Sequence, residues 1–462
     1  MNECITNVTS HYTPAASLAA LGVKLQHLRL FEPIDRLVQI AQKTVKHTPT
    51  HKLYDALISL LAGAHGMVEI NTRLRADRSL QAAFGRSACA EQSVVQQTLD
   101  ACTSENVTQM EEAMTQIFRQ HSQAFHHDYQ QDWHILDVDL SGWLCGKQAA
   151  FASKGYFALS QRNRRGRQLG RVLATRYQEV VVDRLFAGNR QLGTSVQELM
   201  QAAQVTLDLS PPQRARTLVR LDAGGGSASN LNWLLEQGYQ ILGKACSAQQ
   251  ARLLAKSVKQ WVTDAQVLER QIGWVTEEAV GFVRPVRRAA VRCRKANGQW
   301  GVGVLICSLP SPAILSLAGS SVQGSDDDAA LLQAVVGLYD QRGGGIETSF
   351  KGDKQGLGLT KRNKKRFEAQ QVLMLLGSLA HNIVVWAHDW LTEQEEATPL
   401  QQYGILRMVR DVFHVGGLLS FDASGKVVKI MLNQDAFLAH VILPSLCRLL
   451  LPIHVDVTLG QI

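Results

Sequence analysis

The chain lacks most of what would mark a secreted, metal-finger or membrane protein. Its eight cysteines (Cys4, Cys89, Cys102, Cys145, Cys246, Cys293, Cys307 and Cys447) form no Cys-x-x-Cys pair and no finger spacing. That excludes a disulfide scaffold and suits free buried thiols in a reducing cytoplasm. No basic segment followed by an apolar core opens the sequence, so no targeting leader is expected. The longest apolar stretches, near 372–385 and 437–452, are broken by Gly, Ser, His, Asn or Arg, and read as buried helices with no membrane partner. There is no repeat of fixed period and no low-complexity tract. Gly224-Gly225-Gly226-Ser227 lacks the Gly-Lys-Ser/Thr ending of a phosphate loop and reads as a flexible exit loop. His126-His127-Asp128 has no further ligand at useful spacing and reads as a solvated loop.

What is present is ample core material and excess positive charge. At 462 residues, with 45% apolar and 19% charged residues, two to four globular domains are expected. A formal net charge of +8 favours a polyanionic partner.

Residues 1–130 read as wholly helical, with apolar residues recurring at three and four, as in Leu53, Ala56, Leu57, Leu60 and Leu61. Arg73 to Arg86, a glycine turn, then Gln92, Ser93, Gln96 and Gln97 trace the outline of a helix-turn-helix; a helical bundle with a polar face is the alternative. From Trp133 the pattern turns strand-like. Strands at 134–140, 167–174 and 179–186, a helix at 195–207, a strand ending at Asp222, a helix at 229–237 and a strand at 239–244 follow in order. Three strands, helix, strand, helix, strand is the order of the ribonuclease H-like fold, a mixed α+β core. We place its first part at 131–257 and its last at 326–395, separated by a β-rich insertion over 258–325 that turns at Asn297-Gly298. The exposed acidic turn Gly324-Ser325-Asp326-Asp327-Asp328 follows the insertion, and a hairpin and an apolar helix occupy 396–462.

The residues that carry chemistry lie at strand ends. Asp139 closes an apolar run and Asp222 closes another, where functional groups gather in open sheets. Asp137 competes with Asp139, since residues two apart on a strand face the same side; Asp139 is preferred as nearer the strand's end. The segment from Tyr339 to Lys354 sets Glu347 among cations: Arg342 before it, Lys351 and Lys354 after. Such an arrangement serves phosphoryl transfer, the acid holding a divalent metal while the cations grip a polyanionic strand. Arg164, Arg165 and Arg167 precede a strand of the core, and Lys361 to Arg366 follow the third acid; both runs are candidates for phosphate contact or for solvated surface. Trp274 and Trp300 could stack on a flipped base or belong to the insertion's own core.

Taken together, Asp137-Val138-Asp139-Leu140-Ser141-Gly142, Lys154-Gly155-Tyr156-Phe157, Arg164 to Gly170, Arg220-Leu221-Asp222-Ala223-Gly224 and Tyr339 to Lys354 resemble the bacterial insertion-sequence transposases of the Asp-Asp-Glu type. The resemblance is to the group with a Tyr-Arg-Glu-Lys signature. It implies a ribonuclease H-like core interrupted by a β-rich insertion, with Asp139, Asp222 and Glu347 as catalytic metal ligands. It implies two Mg²⁺ ions, replaceable by Mn²⁺, and double-stranded DNA, both transposon ends and target, as partner. Tyr339, Arg342 and Lys354 would match signature residues that contact the ends, in a homodimer on DNA at the bacterial nucleoid. One departure stands out. Four residues, Gly343 to Ile346, separate Arg342 from Glu347 where the signature has three. Three glycines resist helix formation, which puts Arg342 on a turn before the helix of Glu347.

Overall fold

The computed structural model describes residues 9–43, 46–155, 157, 163–295, 297–319, 328–393 and 399–462. These form two compact units. One comprises Met1–Ser122, Leu144–Ala152 and Ser349–Ile462, the other Gln123–Trp143 and Ser153–Thr348.

The N-terminal part of the first unit departs from the helical expectation at its start. Strand β1 (Thr9–Thr13) precedes the helices, its Thr and Tyr side chains suited to extended backbone. Helices α1 (Ala16–His27), α2 (Glu32–Leu37), α3 (Pro49–Leu61), α4 (Arg78–Ala83), α5 (Gln92–Ala101) and α6 (Ser104–His121) follow. Local chemistry sets several of their ends. The Thr48 hydroxyl accepts from the His51 amide at the start of α3, and Thr103 with Asn106 forms a capping box on α6.

The second unit is built on one mixed sheet. Strands β2 (His134–Leu144), β3 (Ser153–Lys154), β4 (Arg165–Ala174) and β5 (Glu179–Ala187) lead through α7 (Val196–Leu207) and α8 (Pro211–Ala215) to β6 (Thr217–Leu221). Helix α9 (Ala228–Glu236), β7 (Gln240–Lys244) and α10 (Ala248–Leu254) come next. In space β4 and β5 pair antiparallel, while β2, β6 and β7 run parallel in that order. This is the ribonuclease H-like arrangement. Parallel strands are covered on both faces, which is why β6 reads as a buried run, Thr-Leu-Val-Arg-Leu, with no alternation. Helix α7 lies against β4 and β5, and α9 against β7.

The insertion does not stand apart from this sheet. Strands β8 (Val262–Thr263), β9 (Arg270–Trp274), β10 (Arg287–Arg294) and β11 (Trp300–Cys307) are antiparallel, and β11 pairs with β7, so they extend the core sheet at its edge. The turn between β10 and β11 uses Gly298 at φ +77°, a left-handed conformation that glycine adopts without strain. After α11 (Ser311–Leu317) the acidic turn up to Asp327 lies outside the described residues. Helix α12 (Asp328–Arg342) packs Val335 and Leu338 into a core with Leu218, Leu242 and Leu305.

The remainder of the first unit centres on α14 (Phe367–Thr392), reached through α13 (Thr348–Gln355). By length and composition α14 could cross a membrane, but 94% of its most apolar window is buried; it is the core helix of this unit and touches α3, α5 and α6. Beyond α15 (Ile405–Arg410), strands β12 (Gly417–Phe421) and β13 (Val427–Asn433) form a hairpin, followed by α16 (Phe437–Leu450) and β14 (Asp456–Gly460). The sheet order is β1-β12-β13-β14, which gives the N-terminal strand its partner.

Candidate active site

The parallel strands β6 and β7 end on one edge of the sheet, whereas β2 continues beyond it to Leu144, so Asp139 does not close its strand as the sequence pattern suggested. Asp139 lies near the middle of β2, past the end of its pairing with β6, Asp222 directly follows β6, and Lys244 ends β7. The two aspartates lie close enough to interact. Burial pushes the Asp139 carboxyl up to about 6; the Asp222 charge pushes the same way, and Arg342 opposes. A second carboxylate nearby disfavours the charged form of the Asp139 carboxyl, and the two together attract a cation.

The cation present is Arg342. Its Nη2 lies 3.0 Å from the Asp139 carboxylate and donates to the Val138 carbonyl at 3.1 Å. Its side chain is 6% exposed and serves here as counter-charge to the first acid. Its Nε is buried with no acceptor among the described residues. Tyr339, one turn earlier on α12, is half-buried; burial pushes its phenol up to about 12, with both aspartates adding to the shift.

Asp137 is taken up elsewhere. Its carboxylate receives Arg220 Nε at 2.6 Å and Nη2 at 2.8 Å, and the Thr175 hydroxyl at 2.6 Å. Both oxygens are thus occupied by buried donors, whereas Asp139 keeps 17% of its side chain exposed.

Glu347 sits on a feature not foreseen from its glycines. Arg342 does not end on a turn. Residues Gly343–Glu347 form a π-helical turn, and α13 starts at Thr348, so the backbone stays helical. A π turn accommodates one residue more than an α turn because its hydrogen bonds span five residues instead of four. The fifth residue after Arg342 therefore stands where the fourth would in an α-helix. That absorbs the extra glycine and keeps Glu347 on the Arg342 face. Gly345 is needed for space: a Cβ there would meet Thr175 Cγ2 at 2.8 Å and Asp137 Oδ2 at 3.1 Å, whereas Gly343 and Gly344 have nothing within 4 Å. Glu347 itself is exposed. Among the described residues, no three acidic, histidine or cysteine side chains lie together as a ligand set. The structure thus pairs Asp139 with Asp222 and leaves Glu347 outside that pair. Two neighbouring carboxylates suit a divalent cation, and these two residues are the ones that would hold it; Arg342 competes for Asp139 and would have to yield part of its place.

The glycine loop after Asp222 is tightly held, not flexible. A Cβ on Gly226 would come 1.8 Å from the Lys244 carbonyl, Asn230 Nδ2 donates to Gly225 O at 3.2 Å, and the Gly225 amide donates to Asp222 Oδ1 at 3.2 Å. His127 is likewise no solvated residue. It is buried, shares a hydrogen bond with the Tyr177 hydroxyl at 2.7 Å and stacks on His134 at 4.8 Å.

Of the other cations, Arg164 and Arg165 are exposed, but Arg167 is 1% exposed, on the part of β4 that is buried along its whole length. Lys351 is exposed and Lys354 half-buried on α13, in the first unit. In the run 361–366, Arg362 and Lys364 turn inward. Arg362 donates to Ser59 Oγ and the Ala64 carbonyl, and Lys364 to Gln96. Desolvation lowers Lys364 to about 8. Of the four residues read as a DNA-reading face, Ser93 and Gln97 are exposed. Trp274 donates its indole N–H to the Asp328 carbonyl at 3.0 Å, and Trp300 is 38% exposed with Arg292 stacked over it.

The sequence profile of the transposase DDE domain, group 1, matches residues 18–434. The chain belongs to this family of DDE transposases. No curated protein matches it. A solved structure similar to it is the cryo-electron microscopy structure of a piggyBac transposase synaptic complex with hairpin DNA. The two share 12% identity at a TM-score of 0.43, over 89% of this chain and 81% of that one.

Proposed function

We propose that this transposase binds the terminal inverted repeats of its element, cuts the DNA there with Mg²⁺ and joins the 3′ ends to a target, as a member of the Tyr-Arg-Glu-Lys group acting as a homodimer at the nucleoid. The observation that carries this reading is the pair Asp139 and Asp222, each just past the end of the β2–β6 pairing, electrostatically coupled and facing one guanidinium. In this reading the two aspartates hold the metal and Glu347 completes the set. When bound, Mg²⁺ activates a water or a 3′-hydroxyl and stabilises the leaving oxygen. The chain's own part is placement. Asp137 and Arg220 fix the strands, Arg342 neutralises Asp139 in the resting state, and the tight turn at Gly226 fixes Asp222. Exposed Arg164, Arg165 and Lys351 are the residues for DNA phosphates.

The test is binding against cleavage. Asp139→Asn is expected to abolish metal-dependent cutting of DNA that carries the element's ends while leaving end binding within about twofold. Loss of binding and cutting together would make Asp139 structural and overturn the assignment.

A further inference from the structure

The second unit holds a cavity of about 440 Å³ beside the paired acids. One wall is the β10–β11 hairpin, another the end of β7 with α10, and the last is α12 at Tyr339 and Asp340. Tyr339 borders this cavity and also feels the charges of Asp139 and Asp222, so the two sites share a wall. Lys244, which lines it, ends the strand next to that of Asp222; neighbouring strands lie about 4.8 Å apart.

The lining is strongly basic. Lys244, Arg252, Arg270 and Lys295 face a single acid, Asp340. Arg270 is tied to Asp264 at 2.7 Å and to Asp340. Lys244, Arg252 and Lys295 therefore remain as cations with no carboxylate partner among the described residues. The strand floor is built to let them lie across it. Gly301 and Gly303 share one face of β11, and a Cβ there would meet Lys295 Cε at 3.0 Å and Lys244 Cε at 2.8 Å respectively. The bare Trp-Gly-Val-Gly pattern thus trades side chains for two lysine stems. The opposite face of the hairpin is closed by Arg292 stacked between Trp261 and Trp300, at 3.9 and 4.6 Å.

We propose that this cavity is a phosphodiester site for one single DNA strand, with Lys244, Arg252 and Lys295 contacting its phosphates and Tyr339 marking where the strand passes to the acids. The inference rests on the proposed function for its ligand. A cavity of this volume is of small-molecule size and admits a nucleotide-wide strand, not a duplex. Three unpaired cations in a lining with no Asn, Gln, Ser or Thr favour backbone contact over sequence reading.

The test uses the full-length protein and labelled oligothymidylate, titrated at several salt concentrations. Each phosphate contact on a single strand contributes about 0.7 to the slope of log affinity against log salt. Lys244→Gln with Lys295→Gln is expected to lower that slope by about 1.4 and weaken binding at least tenfold at low salt. Lys426→Gln with Lys429→Gln removes equal charge from exposed positions of the other unit and is expected to leave the slope unchanged. Exposed Cys293 lines the cavity, and its alkylation should slow at least tenfold with bound oligothymidylate. Equal slopes for both double variants, no protection of Cys293, or equal protection by inorganic phosphate would overturn the site. Wild-type cleavage of end DNA is scored separately. A slope change without cleavage would sink the proposed function and leave this site standing; cleavage without a slope change would sink this site alone.

Discussion

Arg220 and Asp137 stand opposite one another in register across β6 and β2, joined by two charged hydrogen bonds of 2.6 and 2.8 Å. Both side chains are at most 1% exposed. Arg220 Nη1 also donates to the Leu338 carbonyl on α12 at 2.6 Å. One guanidinium therefore ties the helix of Tyr339 and Arg342 to the strands of Asp139 and Asp222. The acid two residues before the proposed ligand is a structural brace.

Breaking that brace from one side leaves a buried charge without its partner. Arg220→Met is expected to cost about 3–5 kcal/mol of stability, read from urea unfolding. Adding Asp137→Leu to Arg220→Met should recover a large share, since the orphaned carboxylate is then gone. A single-variant cost below about 1 kcal/mol would contradict the brace.

The π turn makes a prediction about spacing. Deleting Gly344 alone, where even an added Cβ would meet nothing within 4 Å outside its own helix, should turn Gly343–Glu347 into an α turn and keep Glu347 in phase with Arg342. Cleavage should stay within about threefold of the parent. Deleting Gly343 and Gly344 together rotates Glu347 by about 100° and should cost at least a hundredfold. Equal losses for the two deletions, measured as cleavage rates, would show that phase is not what matters.

Gly226 should tolerate no side chain. With a Cβ 1.8 Å from the Lys244 carbonyl, Gly226→Ala must displace the turn that carries Asp222. We expect a loss of about 2 kcal/mol in stability and a larger fractional loss in cleavage. Gly343→Ala, in open helical surroundings, serves as the control and should be neutral or slightly stabilising. Thermal melts and cleavage rates of both variants decide the matter.

Acid should weaken the second unit through His134. Burial depresses this imidazole to about 3, with His127 and Arg176 adding to the effect. The folded pKa lies below the unfolded value of about 6.5, so the unfolded chain binds the extra proton first. Stability is then full above pH 6.5 and falls as the pH drops towards 3. His134→Gln should flatten the decline in melting temperature between pH 7 and 5 relative to the parent. An unchanged decline would place the titrating group elsewhere.

Much of the core was legible because period-two and apolar-run patterns mark strands directly. The strands around Asp139 and Asp222, the helices between them and the turn at Gly298 lie within a few residues of where the sequence pattern puts them. Tertiary choices were not. Nothing local says that Arg167, Arg362 and Lys364 point inward, since a cation's burial depends on which acceptors the fold brings to it. The π turn was hidden by glycine's low helix propensity, which tertiary packing of Gly345 against Thr175 and Asp137 overrides. β1 escaped notice because its partner, β12, lies some four hundred residues away. Asp139 and Arg342 are each visible in the sequence, but their ion pair joins positions some two hundred residues apart and forms only once the sheet and α12 have packed.

The most direct test of the account is strand joining. Labelled DNA carrying the element's ends is incubated with protein, Mg²⁺ and a target plasmid, and both cut and joined products are measured. The account predicts that the parent gives joined products, and that Asp222→Asn and Glu347→Gln each reduce cutting and joining at least a thousandfold while still binding the ends. Cutting without joining in the parent, or joined products from Glu347→Gln, would contradict it.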